Sequence, residues 1–195
     1  IGSALVNTLY FQSVDLTWFI EQSAAAASQG ASPAEKEAMI NSMSSMGATG
    51  YMAFGIGGAV IGIPIVYAIT AVLYIIISNI RNDDLTFGQC FNLVAWAGVV
   101  KLLSLLLAII TISISSNGQI AQHDISGFNL NLLVFQLENT HPWYSLLTQF
   151  DLVGIWTAIL IGIGYRTWTN ASITASTIFG FLPIILYFGV SAALI

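Results

Sequence analysis

Few residues in this chain have the type and spacing to do chemistry, and the two that stand out are charges inside apolar runs, Lys101 and Asp151. A buried ammonium and carboxylate can form an ion pair, carry a proton or hold an ion. A second group, His123, Asp124, Glu138 and His141, shares one polar stretch and has the donor types of a metal site or a general base. Its spacings match no zinc motif, so these read as solvated loop residues. No His-Glu-x-x-His, no Gly-rich phosphate loop after a strand and no Gly-x-Ser-x-Gly is present. Cys90 is the single cysteine, which excludes an internal disulfide framework and a multi-thiolate metal centre. At the edge of an apolar run it reads as a buried or interfacial thiol, with acylation conceivable where a host supplies it. The expectation is a chain without enzymatic activity, cofactor or metal.

The elements that must position Lys101 and Asp151 are set by composition. The 195 residues are 56% hydrophobic and 7% charged, with a mean hydropathy of +0.84. Water-soluble domains carry about a quarter charged residues, so the solvent here is largely lipid. Four basic against nine acidic residues give a net charge of −5, which leaves no field for nucleic acid. The apolar runs predict an all-α polytopic bundle of five spans. Ile1 to Phe11 covers about 16 Å at about 1.5 Å per residue and reads as the outer half of a truncated first helix. Complete spans are expected over 51–77, 91–113, 146–165 and 173–195, with Pro64 the expected kink in the first of these. None shows the alternation of a barrel strand.

Arg81 and Arg166 fall in the short loops 78–90 and 166–172, whereas the long loops 12–50 and 114–145 carry Lys36 among six acidic residues. The positive-inside bias makes the short loops cytoplasmic and the long ones external or periplasmic, in a cell inner membrane. The sequon Asn170-Ala171-Ser172 then lies inside and stays unglycosylated. In the first long loop, Ser32, Pro33 and Glu35 form the start of a helix over 33–46, which Gly47 can stop. Met39, Ile40, Met43 and Met46 give it an apolar stripe, either for its own bundle or for a partner or lipid. The stretch from Gly127 to Leu137 fits a surface helix or a strand.

Helix packing in lipid depends on small residues. Gly58 and Gly62 are spaced for such a seam, as are Gly154, Ala158 and Gly162, and Gly180 on the last span offers a further close approach. Lys101 and Asp151 lie about 15 and 21 Å from the inner ends of their spans on small-residue faces, so a midspan pair is expected. The alternatives are a polar site for a proton, ion or headgroup, and unpaired snorkelling.

The stretch Leu146 to Tyr165, followed by a short polar loop and a final apolar helix, resembles the late part of the Yip family, five-span membrane proteins first known as partners of Rab/Ypt GTPases. The family pattern of an acid or amide, a Trp and a Gly-aliphatic-Gly step is filled by Asp151, Trp156, Gly162 and Gly164. Leu85 to Asn92 resembles the family's lead-in to the third span. The likeness covers roughly 50–195 and is closer to prokaryotic members. The Asp-Leu-Tyr-Gly-Pro motif of the eukaryotic branch does not occur, so GTPase binding is not carried over. The resemblance implies a membrane protein without an established reaction, and the expected role is a non-enzymatic scaffold or partner subunit, with the lipid bilayer and other membrane proteins or a homo-oligomer as partners. The rival expectation is a small transporter or channel using Lys101 and Asp151.

Overall fold

The computed structural model describes residues 2–28 and 30–194, and within them the protein is helical. The expected first residue of the first span, Ile1, and the last of the fifth, Ile195, lie outside the described residues. Nine α-helices occur among those residues: α1 Gly2–Ser13, α2 Leu16–Ala27, α3 Pro33–Gly57, α4 Ile63–Arg81, α5 Phe87–Ala97, α6 Leu102–Ile114, α7 Tyr144–Gln149, α8 Leu152–Thr169 and α9 Ile173–Ala193. A π-helical turn, Gly58–Gly62, joins α3 to α4, a 3-10 turn, Gly98–Lys101, joins α5 to α6, and a second π turn spans Asn131–Phe135. Three continuous runs are long and apolar enough to cross a membrane: Pro33–Arg81, Phe87–Ile114 and Ile173–Ala193. The other two expected spans correspond to α1, of 12 residues, and α8, of 18.

The chain divides into two compact units, Ile1–Val60 with Ser104–Phe150, and Ile61–Leu103 with Asp151–Ile195. In the first unit, α1 and α2 pack on α3. Val6, Tyr10, Phe11, Ala108 and Ile112 form its core. Phe11 stacks on Tyr51 at 5.2 Å, and Phe19 meets both rings edge-on. Polar groups inside this core are satisfied: the Asn7 amide donates to Met52 O at 3.1 Å, and the Tyr10 hydroxyl donates to Ile120 O at 2.9 Å.

Local sequence explains most helix starts. Asp15 accepts from the Trp18 N–H and caps α2, a helix the expected loop 12–50 did not include. Ser32 and Glu35 bond each other's backbone N–H, with Pro33 in the first turn of α3. Gly47, placed to end that helix, instead breaks it: at φ 62°, ψ 171° it adopts a geometry open essentially to glycine alone, and the helix resumes beyond. Met39, Ile40 and Met43 before the break are half-buried and Met46 is exposed.

In the second unit the principal packing is α8 on α9 and α4 on α5. Thr86 and Gln89 make a capping box for α5, and Ser172 caps α9. Asn82 and Asn170 close α4 and α8 in the left-handed region that Asn tolerates better than most residues. Asn170 and Ser172 of the sequon are therefore both helix caps. Within the expected span 146–165, Phe150 and Asp151 are extended and separate α7 from α8. The residue expected deep in a helix is the one that starts it.

Candidate functional site

Within the second unit a cleft of about 170 Å³ opens beside Lys101. One wall is α4, through Val66, Tyr67, Thr70 and Tyr74. Another is α8, through Gly154, Thr157, Ala158 and Ile161, and α9 contributes Gly180, Pro183 and Ile184. The 3-10 turn carries Gly98 and Lys101 to its rim. This turn winds tighter than the α-helices on either side and lies in the middle of the 28-residue apolar run Phe87–Ile114. Gly98 gives the Tyr67 hydroxyl its place, because a Cβ there would push that hydroxyl aside. Pro183 has no N–H for the Phe179 carbonyl, so α9 lacks one backbone bond beside the cleft.

The Lys101 ammonium lies 6.0 Å from the centre of the Tyr67 ring. Such a contact offsets about 0.5 to 2 kcal/mol, less than the roughly 2.5 to 3.5 kcal/mol of a midspan charge on insertion scales. The ion pair expected with Asp151 is not formed. Among the described residues the pair within 4.0 Å is Arg81–Asp83, at 3.0 Å. Asp151 has another task, since its carboxylate accepts a short hydrogen bond from the Gly154 N–H and caps α8. A cap must stay at its helix end, and that commitment separates the two charges.

From Tyr74 in the cleft wall three rings stack: Tyr74 on Phe179 at 4.2 Å, and Phe179 on Tyr165 at 3.7 Å. All three are buried. The Tyr74 hydroxyl donates to Gly180 O at 3.4 Å. Arg81 Nε donates to the Tyr165 hydroxyl at 2.7 Å, and that hydroxyl donates a short bond to Asp83. Ser78 Oγ accepts from Leu85 N–H, which ties down the turn after α4. The sequence reading did not find this network. Its available signal was a tyrosine in the second half of both α4 and α8, each helix carrying an arginine in its last turn.

The small-residue positions fall into two sets. A Cβ on Gly162 would lie 2.8 Å from Ser176 O, and one on Gly180 would run into Ala158 O, so α8 and α9 touch through their backbones at Ala158, Gly162 and Gly180. By contrast, a Cβ on Gly58 or Gly62 meets nothing within 4 Å, and one on Gly154 meets only its own cap, Asp151. The polar stretch in the first unit forms no group of metal ligands among the described residues. Asp124 accepts from Asn129, the His123 ring meets Tyr144 edge-on, and His141 Nδ1 accepts from the Trp143 N–H. Cys90 is buried in the second unit's core.

A family model described as the Yip1 domain matches residues 1–195. The chain belongs to the Yip1 domain family. No curated protein and no solved structure matches it. The family match takes in the whole chain, including α1 and α2, which the resemblance over 50–195 left out. It also makes this an integral membrane protein, in keeping with its three long apolar runs. Of the four residues that carried the Yip resemblance, Asp151 caps α8 and Gly162 meets the α9 backbone. Gly164 makes room for the Leu93 side chain, and Trp156 stays about half exposed, at 49%. In this Yip1 domain, three of the four serve to start α8 or to seat it against its neighbours.

Proposed function

We propose that this Yip1 domain protein is a non-enzymatic scaffold or partner subunit of a membrane complex. The supporting observation is the open glycine surface in the first unit at the end of α3. Gly57 and Gly58 face nothing within 4 Å, and Phe54 and Val60 around them are exposed. A glycine surface in a bilayer lets another helix approach to backbone contact, which lipid tails do not exploit. Other membrane proteins or a second copy are the partners such a surface suits. With Arg81 and Arg166 in the last turns of α4 and α8, beside the short connections, the protein resides in the inner membrane with those connections cytoplasmic.

Copurification from gently solubilised native membranes tests the reading. A stoichiometric partner or a defined homo-oligomer is expected, weakened by Gly58→Leu. A monomer under every mild condition would reject it. The interrupted helix beside Lys101 and the cleft at that break favour a second reading, a small transporter or channel. Proteoliposomes separate the two: the scaffold passes no ions or protons, whereas a flux lost in Lys101→Met would establish transport.

A further inference from the structure

We propose that Lys101 receives a carboxylate carried at mid-depth on a transmembrane helix of a partner protein, an inference that rests on the partner-subunit reading above. Lys101 stands in the middle of the run Phe87–Ile114, with about 20 Å of helix on either side at about 1.5 Å per residue. Its ammonium has the Tyr67 ring beside it at 6.0 Å and, among the described residues, no ion pair. Snorkelling does not relieve it, because the edge of a hydrocarbon core about 30 Å thick lies about 15 Å from the midplane. A charge held there needs an opposite charge at the same depth.

The sequence and the cleft identify what brings that charge. Lipid headgroups carry theirs at the interface, whereas a side chain on a spanning helix can present a carboxylate at the midplane. A second copy of this chain is a poor donor: Asp151 is the acid it carries within an apolar run, and that carboxylate caps α8. The cleft, about 170 Å³, is small beside the roughly 300 to 1,000 Å³ of small-molecule sites, and it suits a single side chain. Gly154, half-buried and without a side chain, keeps the wall beside it low, so a helix bearing Asp or Glu can come close enough to pair.

The test is photo-cross-linking in native membranes with p-benzoylphenylalanine at position 157 of the full chain. The expected adduct is with a membrane protein that has an Asp or Glu in the middle of a spanning helix. Yield should fall at least tenfold with Lys101→Met and persist with Lys101→Arg. Changing the partner's acid to its amide should cause the same loss, which keeps the test sound if a Lys101 variant misfolds. Lys101→Glu should lose the adduct and regain it when the partner's acid is replaced by lysine. Adducts only with lipid, or with a partner lacking a midspan acid, would overturn the proposal, as would a yield indifferent to Lys101. If a partner still copurifies in those cases, the partner-subunit reading survives without it. Absence of both adduct and copurifying partner overturns both.

Discussion

At Asp15 one carboxylate serves two neighbours, accepting from the Trp18 N–H and from the Gln119 amide. Both bonds favour the charged form, the Trp18 N–H most, and hold its pKa below the ordinary 3.8. The native state therefore binds this proton less readily than the unfolded chain. The contribution to stability is complete above the ordinary carboxylate range and is lost as the pH falls through that range to the lower native value. An NMR titration should show Asp15 titrating below a free aspartate, with the Gln119→Ala variant closer to the ordinary value. Lys101 yields the opposite kind of prediction. With no ion pair to lose, Lys101→Met should stabilise the isolated protein by about 1 to 3 kcal/mol in thermal or denaturant melts. Asp151→Asn keeps a capping side chain and should change little, while Asp151→Ala should cost about 0.5 to 2 kcal/mol. A cycle of Lys101→Met with Asp151→Asn should be additive within about 0.5 kcal/mol. Strong coupling would restore the direct pair.

At the scale of the element, local and contact-dependent signals separate cleanly. The start of α3 is written in Ser32, Pro33 and Glu35, and that of α5 in Thr86 and Gln89, because a cap is made within four residues. The Gly47 break requires a backbone that side chains resist, with nothing within 4 Å of where a Cβ would sit. Gly47→Ala should thus cost about 1 to 3 kcal/mol through backbone strain alone, measured by melting in detergent. The α8–α9 seam is the reverse case, set by space and not by dihedrals. Ala158→Leu should destabilise the protein by about 1 to 3 kcal/mol by overpacking, because Ala158 is buried and its carbonyl lies against Gly180. An unchanged melting temperature would mean the two helices can separate without loss.

For the whole molecule, the arginines in the last turns of α4 and α8 make sidedness testable. Single cysteines in a Cys90-free background should label at Asn82 and Asn170 only from the cytoplasm, and at Ser45 and Asn139 only from outside. External labelling of Asn82 would invert the protein in its membrane. The same experiment examines whether α8 crosses, since Asn82 and Asn170 share a side only if both Phe87–Ile114 and α8 span the membrane.

Composition alone determined that this chain is helical and lives in lipid, because backbone groups in hydrocarbon must pair within a helix or a closed barrel, and barrel alternation is missing. Sequence also located the caps and the small residues, which act over a few positions. Tertiary structure decided what those residues face. Gly162 and Gly180 meet another backbone while Gly58 and Gly62 face open space, although their spacing is equally suited to a seam. Hydropathy read straight through Phe150 and Asp151, because the residues on both sides are apolar. A carboxylate in an apolar run either pairs across the bundle or caps a helix, and periodicity does not distinguish these. The bond from Gly154 N–H to Asp151 makes it a cap, and leaves Lys101 beside Tyr67.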